Sequence, residues 1–189
     1  MAVVIRKSTM ITNRDANPPV PNSLYGAGRS FSKRAVVVAV TGDTNVSQYG
    51  FFTLSSSAHM ESVKLSNDAL SASTAINVGL YETTQFPGSG GVFGAVIAGG
   101  LAGPYNTSAL TNTNTCFGST TAMTSAATKA EIMYSGSGQA YTFTTADNPL
   151  WKMLGFTADP LREFDLVVTV TTTVVAGGAI LLEATYKMQ

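Results

Sequence analysis

Apolar and polar residues alternate along this chain with a period of two wherever a period can be judged. Over residues 74–82, Ile76, Val78 and Leu80 alternate with Ala75, Asn77 and Tyr81. Over 164–173, Phe164, Leu166, Val168 and Val170 alternate with Asp165, Val167, Thr169 and Thr171. Over 179–187, Ile180, Leu182 and Tyr186 alternate with Leu181, Glu183 and Lys187. A β-strand sends successive side chains to opposite faces, so each run predicts a strand with one face on a core. Residues 34–41 are valine-rich and end at Gly42-Asp43; residues 49–55 carry Phe51, Phe52 and Leu54; residues 60–65 set Val63 and Leu65 against Ser62 and Lys64. Further runs lie at 92–97, 132–134 and 140–145, the last two flanking a hairpin-like Gly136-Ser137-Gly138. Gly177-Gly178 predicts a hairpin between the final two strands.

Eight or nine short strands with turn residues between them predict an all-β fold, a β-sandwich or jelly roll. The long helices that parallel strands require between them are missing. One short helix is expected. Asp147 can serve as its N-cap, Pro149 opens it, Leu150, Trp151, Met153 and Leu154 form its apolar stripe, and Gly155 suits the position after its end. Trp151, the only tryptophan, is predicted to be a structural anchor at one end of the sandwich.

Residues 1–32 read differently. Pro18, Pro19 and Pro21 stiffen the chain and remove donors, and no strand period extends beyond residues 2–5. This stretch is expected to be an extended N-terminal arm, ordered by a partner because it cannot bury itself. Residues 33–189 form the sandwich body, with a loop-rich insertion at about 84–128. Net charge separates the two parts. Residues 1–34 hold six bases and one acid, Asp15, a balance of +5, while the remainder holds five bases and ten acids, a balance of −5. A basic arm joined to a mildly acidic body fits docking on an acidic protein surface or on the acidic body of a neighbouring copy. Six bases without a tight cluster make nucleic acid the weaker partner.

Only 12% of residues are charged, which suits a protein whose faces are covered by neighbours and equally a small compact β domain rich in Ser and Thr. The 189 residues suffice for a core without staples. Cys116 is the only cysteine and His59 the only histidine, which excludes a disulfide framework and a zinc site built from those side chains. Cys116 reads as a small hydrophobe. No signal peptide or membrane-spanning stretch is evident.

Catalytic chemistry finds little to work with. His59 with a serine and Asp43 or Asp68 would be the only Ser-His-Asp possibility, and no nucleophile-elbow motif supports it. Asp159, Glu163 and Asp165 lie close in sequence but lack calcium-loop spacing. The glycine-rich residues 99–103 lack the Lys-Ser/Thr ending of a phosphate loop. The chain is read as a non-enzyme with no cofactor and no metal.

The stretch Ile76-Asn77-Val78-Gly79-Leu80-Tyr81 resembles one found in small structural proteins of tailed bacteriophages. So does Asn148-Pro149-Leu150-Trp151-Lys152-Met153-Leu154-Gly155-Phe156-Thr157-Ala158-Asp159-Pro160, followed by residues 163–167. The resemblance covers about the last 115 residues and rests on these two motifs. It implies a capsid decoration or cement protein on the virion surface, made in the host cytoplasm. Its partners would then be the major capsid protein and further copies of itself, most simply as a homotrimer. The expected capsid- or subunit-contacting residues are Arg6, Lys7, Arg14, Tyr25, Arg29 and Phe31, since arginines and aromatics favour interface hot spots. Another virion role is the alternative, as a tail component, head–tail joint or shell subunit. A carbohydrate-binding sandwich is the other, with Tyr105 and Phe117 as its candidate exposed aromatics.

Overall fold

The computed structural model describes residues 5–8, 11–12, 30–45, 47–71, 74–83, 116–120, 123, 125–133, 148–156 and 158–188. These form nine strands: β1 (Ile5–Lys7), β2 (Ser30–Ala39), β3 (Gln48–Ser55), β4 (Ala58–Asn67), β5 (Ile76–Glu82), β6 (Ser119–Thr120), β7 (Ala127–Glu131), β8 (Glu163–Val170) and β9 (Gly178–Met188). One short helix, α1 (Leu150–Met153), precedes β8. Sheet A runs β1-β3-β8-β5-β6 and sheet B runs β2-β9-β4-β7. Every pairing is antiparallel except that of β1, which joins β3 in parallel. The predicted alternations hold: Ile76, Val78 and Leu80 from sheet A and Ile180 and Leu182 from sheet B share one core. The fold is an all-β sandwich with one short helix.

The strands do not follow one another as hairpins. β8 lies in sheet A and β9 in sheet B, so residues 171–177 cross between sheets and the hairpin expected at Gly177-Gly178 is corrected. Alternation cannot distinguish two strands that pair from two that face each other, because both put one side of each strand on the core. Gly178 serves close packing instead of a turn. A Cβ there would lie 2.8 Å from both Asp68 Cβ and Leu70 Cδ2.

Three boundaries also shift. β2 starts at Ser30, so residues 30–32 of the expected arm belong to sheet B, where Phe31 pairs with Tyr186. A strand stands at Ala127–Glu131 instead of 132–134. Within the expected insertion, Cys116 and Phe117 are fully buried in the core and β6 pairs with β5. Burial pushes the Cys116 thiol pKa up, which makes it an inert thiol. The runs at 92–97 and 140–145, and the turn at 136–138, lie outside the described residues.

Helix α1 begins after Pro149, which is its N-cap residue and supplies no side-chain bond; Asp147 lies outside the described residues. It ends as the sequence predicts. Gly155 takes φ +80°, its N–H donates to Lys152 O, and Phe156 N–H donates to Trp151 O. That pair of bonds is a Schellman motif. Trp151 is half-buried against the core, and its backbone N–H donates to Ser56 O in the β3–β4 connection.

Candidate assembly surfaces

Asp43 sits in the β2–β3 connection. Gly42, at φ +94°, turns the chain so that the Asp43 carboxylate returns beneath β2, where its Oδ2 accepts the Val40 N–H at 3.1 Å. The same oxygen accepts the Tyr49 hydroxyl at 2.8 Å. Arg6 of β1 completes the cluster as a two-pronged donor, Nε to Oδ2 and Nη2 to Oδ1, both at 3.0 Å. Burial alone would raise the Asp43 pKa. The bonds from Arg6, Val40 and Tyr49, with the Arg6 charge, outweigh it and hold the carboxyl below its usual range. Burial raises the Tyr49 pKa, helped by its bond to Asp43. Gly42 N–H donates to Val174 O and Val174 N–H to Asp43 O, so the cluster also ties down the β8–β9 crossing.

The leading segment continues over sheet A. Ser8 N–H donates to Gly50 O at 2.6 Å, and the Ser8 hydroxyl donates to Phe51 O. Ile11 packs with Tyr81 and Val167 in an apolar cluster separate from the main core. Tyr81 and Val167 are outward-facing on sheet A, opposite the side that carries Leu80 and Leu166. Asp165 shares that outward side, fully buried, accepting the hydroxyls of Thr53 and Thr83. The central strand β8 is therefore buried on both faces from Phe164 to Val170. Ser8 and Ile11 are buried against their own chain, so at residues 5–8 and 11 the expectation that only a partner could order the leading stretch is corrected.

Sheet B presents the opposite picture on its outward side. Arg34, Glu183, Lys64 and Glu131 stand in register across all four strands, alternating in sign. Lys129 reaches Glu183 at 3.7 Å, and Lys187 pairs with Glu61. Toward one end the row gives way to apolar residues. Val36, Val38 and Val40 are 47%, 57% and 44% exposed, and Val175 in the β8–β9 crossing is 57% exposed. β2 is an edge strand, with β9 on one side only.

The sequence-predicted contact residues divide into three groups. Arg6 belongs to the Asp43 cluster and Lys7 to β1 beside it. Phe31 is half-buried, its ring 5.8 Å from that of Tyr186. Arg14, Tyr25 and Arg29 lie outside the described residues. Neighbouring Lys33 joins the two sheets: its Nζ donates to Thr53 O at 2.6 Å and stands 5.8 Å from the Tyr186 ring centre. Desolvation lowers its pKa against a smaller opposing pull from Glu163. The Asp43 cluster was missed by sequence reasoning, since Arg6 and Asp43 are separated by 37 positions. The one signal was the short apolar run before Arg6.

The catalytic candidates do not converge. Asp43 is taken by Arg6, and Asp68 accepts the Ala179 N–H at 2.8 Å. His59 stands near the start of β4 and Asp68 just beyond its end, roughly 30 Å apart at strand rise. Asp159 accepts the Ser56 hydroxyl and the Leu161 N–H. Among the described residues, no three His, Cys, Asp or Glu side chains are grouped to hold a metal ion. Phe117 is buried and so is not an exposed sugar platform, while Tyr105 lies outside the described residues.

No protein-family profile matches the chain, and no curated protein matches it. Solved structures do. A chain in the capsid of Ralstonia phage GP4 is similar at a TM-score of 0.55 and 13% identity, over 98% of this chain and 99% of that one. A chain of the cyanophage Pam1 capsid asymmetric unit aligns at a TM-score of 0.40 and 15% identity, over 90% and 91%. The first of these likenesses is one of fold.

Proposed function

We propose that this chain is a virion structural protein of a tailed phage that decorates and cements the capsid lattice. The observation that carries the reading is the strand order. Setting β1 aside, eight strands lie as 2-9-4-7 and 3-8-5-6, and of their connections only β5–β6 stays within a sheet. We read this as the two Greek keys of a jelly roll, an architecture of viral capsids and lectins. The end-to-end fold likeness to a phage capsid chain supports the viral side of that choice. The burial of Phe117 speaks against the lectin side.

The surface favours an accessory role over that of shell builder. A shell subunit meets neighbours around its whole rim, and such interfaces are apolar at their centres. Among the described residues, large exposed apolar side chains occur at two places only: the valines beside β2, and Leu161. A cement protein stabilises the shell by linkage, because it binds assembled lattice and not dispersed subunits. Many copies, most simply trimers, would add avidity. Lys7, Arg14, Tyr25, Arg29 and Phe31 are proposed as contacts, with Arg6 contributing through the face it leaves exposed beside Asp43. Removing residues 1–30 would also remove β1, so substitution is the cleaner test. Purified protein added to shells of the parent phage should coat expanded shells and spare unexpanded ones, as counted by cryo-electron microscopy. Arg14→Glu with Arg29→Glu should reduce occupancy at least tenfold. Shells built of this chain itself, or equal occupancy by the double variant, would reject the proposal.

A further inference from the structure

We infer that copies of this chain join head to side, Leu161 of one copy seating on Val36, Val38, Val40 and Val175 of the next. The inference deepens the decoration reading and rests on it for its biological setting. A single exposed leucine needs no explanation. Leu161 is 87% exposed and also holds φ +51°, a left-handed conformation that leucine enters only when its surroundings force it. The forcing is visible. Asp159 Oδ1 accepts the Leu161 N–H at 2.9 Å and also the hydroxyl of Ser56. Ser56 Oγ accepts the Arg162 N–H at 3.1 Å, and Ser56 N–H donates to Arg162 O at 2.7 Å. Ser56 is itself buried, and its carbonyl receives Trp151 of α1. In a turn that reads Asp159-Pro160-Leu161-Arg162, the residue after proline is where glycine fits without strain. Glycine would satisfy the turn. A strained, rigidly held and fully presented leucine serves something outside the chain.

The second copy is the occupant its surroundings fit. The valine patch is the other large exposed apolar surface among the described residues, and its charges complement those around Leu161. Exposed Arg162 and Glu163 adjoin Leu161. Exposed Arg34 precedes Val36, and exposed Asp68 bonds Ala179, which pairs with Val38. Arg162 can meet Asp68, and Glu163 can meet Arg34. The chain's net charge is zero, so copies approach without overall repulsion. Leu161 precedes β8 and Val175 follows it, which separates knob and seat by about 26 Å of strand. Knob and seat are thus different surfaces, and the contact inferred is heterologous, the knob of one copy meeting the seat of the next. Val36 and Val38 lie on the flank of sheet B instead of at the opposite pole, so successive contacts change direction, as a closed ring requires.

Sedimentation velocity over a concentration series tests this with the whole chain. Wild type should assemble as concentration rises. Leu161→Gly should stay monomeric with a melting temperature no lower than that of wild type, since it keeps the turn, relieves its strain and removes the knob. Val38→Asp should also stay monomeric. Equal amounts of the two variants should form dimers and nothing larger, because the intact leucine of one meets the intact valines of the other. A wild type that is monomeric throughout, a Leu161→Gly variant that assembles normally, or a mixture that remains monomeric would overturn the inference. Monomers that still coat expanded shells would overturn it while leaving the decoration reading in place. Normal assembly without shell binding would do the reverse.

Discussion

Sheet A and sheet B share one core but differ on their far sides. Sheet A is covered by its own chain: β1 extends its edge, and Ile11 packs on Tyr81 and Val167. Its central strand is buried on both faces. Sheet B keeps an open outward side, with an alternating charge row and a valine patch on an edge strand. Monomeric proteins blunt edge strands with charge, and β2 does so at Lys33 and Arg34 but not beyond. The contrast puts the exposed valine patch on sheet B and an intrachain cover on sheet A. Substitutions on the cover should therefore weaken folding, and substitutions on the valines should leave it alone.

The largest effect is expected at Asp43, which pins the cover at its edge. Asp43→Ala strands the Arg6 guanidinium and the buried Tyr49 hydroxyl. Urea unfolding should show a loss of about 2–4 kcal/mol, below the range for a fully buried pair because Arg6 is partly exposed. The pH dependence has a fixed sign. The folded carboxyl has a pKa below that of the unfolded chain, so its stabilisation is present above the ordinary carboxylate range, near pH 4. It is lost as pH falls through the lowered folded value. Asp43→Asn should remove this part of the acid limb, and an unchanged acid limb would mean that the carboxylate is not held as described.

Ile11 comes next. It is 1% exposed, and its partners Tyr81 and Val167 are as deeply buried. Ile11→Ala should cost about 2–3 kcal/mol in the same measurement, through lost burial and the void left under the segment. Hydrogen exchange should rise first at residues 5–8, before β8 opens. A loss no larger than that of a surface substitution would show the cover to be loosely held.

What the sequence revealed followed the range of the forces involved. Period-two runs such as 76–80 and 164–170 identified strands and their core faces, because alternation is a local consequence of strand geometry. The Schellman end of α1 was legible in Gly155 for the same reason. Whether β8 and β9 pair or cross was not legible, since either arrangement yields the same pattern around Gly178. Val167 and Tyr81 looked like solvent-side positions whose apolar character had no explanation until Ile11 was found on them. Arg6, read as a contact for a partner, meets Asp43 only through the tertiary fold. The valine patch appeared in the sequence only as a strand signal, because exposure depends on which side of β2 the core takes.

The smallest expected effect sharpens the comparison most. Val36→Thr with Val38→Thr keeps β-branching, and so keeps the strand preference of β2. Both side chains point away from the core: Ala35, Val37 and Ala39 between and beside them are the buried residues. The hydroxyls would enter water instead of an apolar interior, so the desolvation cost that makes Val→Thr harmful in a core does not arise. The unfolding free energy should therefore change by no more than about 0.5 kcal/mol, with an unchanged denaturant slope. The same pair of changes placed at Val37 and Val168 would cost several-fold more, because both lie in the core. A drop at Val36 and Val38 comparable to that of Ile11→Ala would mean that the outward side of sheet B is covered within the chain, and the asymmetry between the sheets would be lost.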